Sequence, residues 1–410
     1  MQDHKLYEQL LGLVEPWYVQ EVKLNIPERE VEVTVACRQE HWGCPECQER
    51  MHVHQWEERR WRHLDTCQFK TFLRAKLPVV RCPKHGAQTV RVPWAEKHGR
   101  FTMLFERLAI QVLLECSVSG ACEILRISWD EADGIKQRAV KRGWARKERE
   151  PVPRLGVDEK SAGAGQDYVT VVARIQAGQP ATVEYVGDGR TQEALDGYWQ
   201  GVPAEHRQQV EAVAMDLWQP YWESTVQHVP EAAEKIVHDP YHLMKHLTDA
   251  VNTVRKREHR DLLSQGDDRL AGTKYLWLYG WENVPPSRQE AFDQLKAQQL
   301  KTSRAWAIKE LFRDFWACQT SSEAGQFFQQ WYDWAIRSRL EPIKRVARML
   351  RRHLKNILTF FTHRLSNAAL EGLNNRIAGL IKKAFGYRNR ERLKTDILFH
   401  LGGLNLFPGQ

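Results

Sequence analysis

The sequence predicts a multidomain α+β protein, and three observations carry that expectation. Two short cysteine-bearing knuckles interrupt an early strand-rich stretch, strands alternate with helices through the middle, and a long run of helix-period sequence follows. A chain of 410 residues is long enough for two to four separate cores. No run approaches the roughly eighteen apolar residues of a membrane span. The opening MQDHKLYEQLLGL has no basic head before an apolar core, so neither an anchor nor a secretory signal is expected.

Residues 4 to 14 read as a short helix, and WYVQEVKLNI (17–26) and VEVTVA (31–36) alternate as half-buried strands do. CPEC then offers Cys44 and Cys47, and CPKHG offers Cys82 and His85. Ligands three positions apart in a tight turn point at one ion, and four Cys or His close a tetrahedral shell. These four are therefore expected to hold one structural zinc in a ribbon with an expanded central hairpin. Cys37, His41, His54 and Cys67 are possible substitutes. With thiols used this way, the eight cysteines suit a cytoplasmic chain better than a disulfide-linked one.

From 101 to 147 the pattern turns helical, with a break at SVSG and a fresh start at Ser128, a good N-cap followed by acids and ending in bases. Two helices joined by a short turn suggest a helix-turn-helix whose second member enters a DNA groove. Arg138 and Arg142 on that second helix are its candidate DNA contacts. ARKEREPVPRL (145–155) reads as a linker. LGVDEKS, DYVTVVARI and TVEYVGDG follow as three strands, then a helix, the strand VEAVAMD, another helix and the strand KIVHD. From 241 to 361 almost everything has helical period, and IKRVARMLRRHLKNIL sets an aliphatic face against an arginine face.

The basic excess is concentrated. Formal charge is +8, and residues 337–394 hold sixteen Lys and Arg against three Glu and no Asp, which suits a polyanionic partner. Within that stretch Glu371 has no second acid within fifteen residues on either side. Asp158 ends RLGVD and Asp216 ends VEAVAMD. Neighbouring strands that end so would set two carboxylates side by side, an arrangement that a hard divalent cation relieves. A third carboxylate from a packed helix would complete a site for two metal ions suited to phosphodiester chemistry. Glu371 is the fitting third member, sharing a helix face with Asn367 and Asn374 or Asn375 opposite Leu370, Leu373 and Ile377. Glu159 and Lys160 could touch a scissile phosphate. Trp218 and Tyr221 read as core packing rather than as base-stacking rings. Lys382, Lys383, Arg388 and Arg390 are the preferred phosphate contacts.

CPEC, CPKHG, VPWA (92–95), GVDEK, AMDLWQPY, HDPYHLMKH, SNAALEGLNNRI and GYRN, in this order, resemble DDE transposases of the bacterial insertion-sequence family called ISL-three over nearly the whole chain. The resemblance implies an N-terminal zinc-binding domain, a helix-turn-helix and an RNase H-like core, with the metal-binding triad at Asp158, Asp216 and Glu371. It implies two magnesium ions, manganese able to replace them, and one structural zinc. The gap from Asp216 to Glu371 implies a helical insertion domain within the core. The expected divisions are 1–98 (zinc-binding), 99–150 (helix-turn-helix and linker), 151–245 (first part of the core), 246–360 (insertion) and 361–410 (helices carrying the third acid). Asp239 and His242 match a D-x-x-H signature of related transposases whose role is open between structure and DNA contact. The expected activity is cleavage at the terminal inverted repeats and joining to target DNA, by a homodimer associated with the bacterial nucleoid. A structure-selective nuclease of the same fold and a non-catalytic DNA-binding regulator are the alternatives.

Overall fold

The computed structural model describes residues 3–163, 167–365 and 368–409, and they form two compact units. The first spans Met1–Lys147 together with Leu404–Gln410, and the second spans Glu148–Gly403.

In the first unit α1 (Asp3–Leu11) precedes β1 (Trp17–Asn25), β2 (Glu30–Cys37), β3 (His41–Gly43), β4 (Arg50–Thr66), β5 (Phe69–Cys82) and β6 (Gly86–Thr89). The sheet order is β1-β2-β5-β4-β3, with β6 paired to β5. Alternation decides which face is core. Val31, Val33 and Val35 of β2 point inward with Leu73, Ala75 and Leu77 of β5, against Trp17, Trp61 and Trp94. The Trp94 ring meets the other two edge-on, with centroids 4.9 and 5.6 Å apart.

Three helices follow: α2 (Met103–Glu115), α3 (Val118–Leu125) and α4 (Trp129–Arg146). Ser117 caps α3, and Ser128 forms a reciprocal capping box with Glu131 at the start of α4. Arg126, at φ +55°, makes the sharp turn between α3 and α4. Residues from 404 onward return to this unit. A Cβ on Gly143 would stand 2.6 Å from Leu404 Cβ, so only glycine lets that segment lie on α4.

The second unit opens with β7 (Arg154–Ser161), β8 (Tyr168–Arg174) and β9 (Thr182–Asp188). It continues through α5 (Gln192–Gly201), α6 (Ala204–Gln208), β10 (Ala212–Met215), α7 (Gln219–His228), α8 (Ala232–Lys235) and β11 (Ile236–His238). The order β11-β10-β7-β8-β9 places an antiparallel meander on one side of β7 and two parallel strands on the other. This is the RNase H-like arrangement. Alternate residues serve opposite faces: Leu155, Val157, Val213 and Met215 pack on Trp199 and Tyr221, while Val171, Ala173, Ala214 and Val237 meet the helices on the other side.

Beyond β11 come α9 (Pro240–Leu263), α10 (Lys274–Leu278), α11 (Pro286–Lys296), α12 (Lys301–Asp314), α13 (Ser321–Arg337), α14 (Glu341–Arg352), α15 (Leu354–Leu358) and α16 (Phe360–His363). They share an aromatic core that includes Trp277, Phe292, Phe312, Phe315, Phe328 and Trp331. Two last helices, α17 (Ala368–Lys383) and α18 (Arg390–Leu401), cover the RNase H-like sheet through Leu370, Leu373, Ile377, Leu393 and Ile397.

Candidate active site and zinc knuckle

The carboxylates meet because β10 runs parallel to β7 with Ala214 opposite Gly156, so the residues two further on, Asp216 and Asp158, come level. Asp158 does not end its strand, as the pattern RLGVD suggested. Here β7 continues, pairing with β8 as far as Ser161 opposite Tyr168 after β10 has left it. Asp158 therefore sits where the sheet narrows, supported on one side and open on the other. Oxygens of Asp158, Glu159 and Asp216 all lie within 4.8 Å of one another.

Burial and then the charge of Asp216 push the Asp158 carboxyl above its usual range. Burial and then Asp158 do the same to Glu159. A divalent cation would relieve both causes. Octahedral magnesium at about 2.1 Å spaces its oxygens about 3 to 4 Å apart, and oxygens gathered within 4.8 Å of one another need only small rotations to reach that span. Glu159 also approaches Arg190 Nη1 at 3.7 Å, and the Arg190 guanidinium lies over the Trp218 ring at 4.3 Å. Tyr221 is fully buried, its hydroxyl 2.9 Å from Thr170 Oγ1, which makes it a packing residue.

His242, in the first turn of α9, reaches back to the same place. Its Nδ1 stands 2.5 Å from Asp216 Oδ1 and 3.0 Å from Asp239 Oδ2. Burial opposes the ring's charge, but hydrogen bonds to Asp216 and Asp239 outweigh it and raise the imidazole to about 10. An imidazolium here offsets the two acids. The D-x-x-H spacing is thus one helical turn that folds His242 over the Asp it follows.

Glu371, the expected third acid, is placed differently from the first two. Asn374 of α17 donates from Nδ2 to Asp158 Oδ2 at 2.5 Å, so this helix borders the site. Glu371 lies one turn earlier on the same face, its side chain exposed and outside the group that Asp158, Glu159 and Asp216 form. Asn367, expected on this face, lies outside the described residues. What lets α17 approach is Gly156, where a Cβ would stand 2.5 Å from Leu370 Cδ1. Sequence reasoning passed over that glycine, whose signal was its place inside an apolar strand two residues before an acid.

The four expected zinc ligands converge in the first unit. Cys44, Cys47, Cys82 and His85 all place a ligand atom within 4.8 Å of the others. Cys47 and Cys82 sulfurs are 3.7 Å apart, and His85 Nδ1 is 3.4 Å from Cys82 Sγ and 3.8 Å from Cys44 Sγ. A tetrahedron built on zinc–sulfur and zinc–nitrogen bonds of about 2.3 and 2.05 Å has edges of about 3.5 to 3.8 Å. The donor set matches that shape. Backbone N–H groups of Cys47 and Glu46 also hold the Cys44 thiol down at about 7. Of the possible substitutes, His41 pairs instead with His52, Nε2 to Nε2 at 3.0 Å.

Burial removes Arg142 from the candidate DNA contacts, while half-buried Arg138 keeps part of its side chain open to solvent. Arg142 is buried on α4. It bonds Glu96 at 2.7 Å, Glu106 at 2.6 Å and the Leu406 carbonyl, and Arg138 bonds Glu106 at 3.0 Å. These guanidiniums neutralise a buried glutamate and tie α4 to α2. Lys382, Lys383, Arg388 and Arg390 are exposed, with Arg390 paired to Asp167 at 2.7 Å.

Comparison with known proteins agrees with this arrangement. Residues 155–397 match a family model described as transposase, of the DDE type. Residues 40–85 match the zinc-finger of transposase IS204/IS1001/IS1096/IS1165, and residues 90–140 match the helix-turn-helix domain of transposase family ISL3. A relative in Mycobacterium tuberculosis, the transposase for insertion sequence element IS1557, is 26% identical over 373 residues, covering 84% of this chain and 82% of its own length. Another in Bordetella parapertussis, the transposase for insertion sequence element IS1001, is 24% identical over 353 residues, covering 85% and 86%. The class defined is a DDE transposase, an enzyme that cleaves DNA and transfers its strands. Because the catalytic model spans more than half of its residues, the chain belongs to the ISL3 family of transposases. Its zinc-ribbon and helix-turn-helix domains make it a DNA-binding protein. Among the described residues no helix is long and apolar enough to cross a membrane.

Proposed function

We propose that this transposase binds the terminal inverted repeats of its own element and uses Asp158, Asp216 and Glu371 to cut the ends and join them to target DNA. The observation that carries the reading is the bond from Asn374 to Asp158, since it sets the helix of Glu371 beside two carboxylates already side by side. Asp158 and Asp216 would hold two magnesium ions, with manganese an accepted replacement, and Glu371 would turn inward from its exposed position to complete the set. The ions, when bound, supply Lewis-acid activation of the attacking oxygen and charge stabilisation of the leaving one. Asn374 keeps the Asp158 carboxylate aimed, and His242 with Asp239 does so for Asp216. Lys382, Lys383, Arg388 and Arg390 would grip the phosphate backbone, and α4 with the zinc ribbon would read the ends.

Cys44, Cys47, Cys82 and His85 would hold one structural zinc, leaving no open coordination position for chemistry. The stretch 246–360 would serve as a helical insertion between the second and third acids, and the active form would be a homodimer on DNA in the bacterial cytoplasm, at the nucleoid. The test is substitution of the acids. Glu371→Gln, Asp158→Asn and Asp216→Asn should each keep binding to end DNA while cleavage and strand transfer fall by roughly three orders of magnitude or more. Near-normal strand transfer by Glu371→Gln would remove Glu371 from the site. Cutting without joining by the wild type would favour the nuclease reading.

A further inference from the structure

Phe385 is an aromatic residue that none of the described residues covers. It is 100% exposed, whereas among the described residues the next most exposed large apolar one, Val14, reaches 68%. Its backbone is also in a region bulky residues avoid, with φ at +53°. The cause lies in how α17 stops. Gly386 N–H bonds to the Ile381 carbonyl at 2.9 Å and Phe385 N–H to the Lys382 carbonyl at 3.1 Å. This is the two-bond helix ending whose left-handed position glycine usually fills. Here phenylalanine fills it, and Gly386 follows at φ +92° with open space where its Cβ would lie.

The strained tip is firmly held from behind. Tyr387 donates its hydroxyl to Asp396 Oδ2 at 2.6 Å and packs against the sheet-covering core. Asn389 then caps α18 by accepting from Glu391 N–H at 2.8 Å. A pinned turn therefore presents one flat apolar ring to solvent, and the ring gains nothing from its own chain. Within five residues of it on either side along the chain lie the exposed cations Lys382, Lys383, Arg388 and Arg390. An apolar protein pocket has no use for that collar, and a second copy of the same basic tip would be repelled. A polyanion with flat apolar faces matches both features at once.

We infer that Phe385 is a wedge that stacks on a nucleobase of DNA whose phosphates the surrounding cations hold. The inference rests on the phosphate-contact reading above and adds to it a base contact at a definite place. Twelve helical residues separate Glu371 from Lys383, about 18 Å of rise, or about five base steps from the phosphate being cut. The base belongs either to the element end or to the target, and stacking on it works for any sequence.

The test uses the full chain with magnesium and duplexes carrying 2-aminopurine at successive positions three to eight pairs from the reacting phosphate. One series carries the probe in the end DNA and the other in the target. Wild type should change the fluorescence at one or two adjacent positions in one series, which identifies the source. Phe385→Ala should abolish that change and lower strand transfer about tenfold, Phe385→Trp should keep both, and neither should alter the salt dependence of binding. Phe385→Gly, free of the backbone strain, should melt higher than wild type yet transfer as poorly as Phe385→Ala. Wild-type strand transfer with no position-specific signal in either series overturns the wedge alone. Equal transfer by Phe385→Ala and wild type does so too, as does a Phe385→Ala effect confined to self-association. Absence of strand transfer by wild type removes the underlying reading, and the wedge with it.

Discussion

Gly156→Ala tests whether Glu371, the proposed third acid, is positioned by close packing of α17 on β7. A built Cβ would lie 2.5 Å from Leu370 Cδ1, 2.8 Å from Leu370 Cγ and 2.9 Å from Ile175 Cδ1. Carbon atoms rest about 3.5 to 4.0 Å apart, so roughly 1 Å must be found. Neither neighbour has room to yield, since Leu370 and Ile175 are both buried in the core that α17 and the sheet share. The helix itself must lift, and it carries Glu371 and Asn374. Overpacking of this kind costs about 1 to 3 kcal/mol, or several degrees of melting temperature at most for a unit of this size. A misplacement of about 1 Å at a catalytic group costs on the order of a hundredfold in rate. The expected result is a folded protein that binds end DNA normally, melts slightly lower, and transfers strands on the order of a hundredfold more slowly. Adding Leu370→Ala should restore part of the rate, because it removes the atoms that clash, although that change alone creates a cavity and destabilises. Gly156→Ala with wild-type melting and strand transfer would refute the packing argument.

Three further outcomes are expected. Cys47→Ser should reduce bound zinc from about one per chain to none and unfold the first unit while the second melts as before; retained stoichiometric zinc in that variant would reject the ligand set. Arg142→Ala should destabilise the first unit by about 3 to 5 kcal/mol, measured by denaturant unfolding, because buried Glu106 loses its closest partner, and Arg142→Lys should not rescue it because one ammonium lacks the fork that bonds two carboxylates. His63, buried against Thr102 Oγ1 at 2.9 Å, has its imidazole pushed down to about 4 by burial and then by Arg62. Between about 6.5 and 4 the unfolded chain takes up a proton that the folded one refuses. The first unit should therefore lose up to about 3 kcal/mol as pH falls through that window. His63→Gln should flatten this slope at constant zinc content, and an unchanged slope would assign the acid sensitivity elsewhere.

How much of this was legible in the sequence depended on how far apart the interacting residues lie. The Cys44, Cys47, Cys82 and His85 cluster was readable because each pair is local, and only the distance between pairs had to be bridged by the β4–β5 hairpin. Asp158 and Asp216 were readable as acids at the ends of apolar runs, although strand pairing with β8, which composition does not reveal, carried β7 past Asp158. Arg142 was misread for the same physical reason. Its partners Glu96 and Glu106 lie 46 and 36 residues upstream, so a guanidinium paired with one buried and one half-buried acid looked like a free base at the end of a helix. Asn374 and His242 were visible as members of motifs, but their bonds to Asp158 and Asp216 depend on the sheet being formed. Phe385 gave no signal in an apolar-poor loop. Only its backbone conformation and its isolation make it conspicuous.

The segment from Leu404 onward has a consequence for the order of biosynthesis. It belongs to the same unit as residues 1–147, and its Leu406 and Phe407 carbonyls accept bonds from Arg142 and Arg146 of α4. A ribosome delivers those carbonyls only after the whole catalytic unit between them has been translated. A nascent or prematurely terminated polypeptide would thus carry α4 without the carbonyls that Arg142 and Arg146 bond, and the first unit would gain those bonds only after the second had been made.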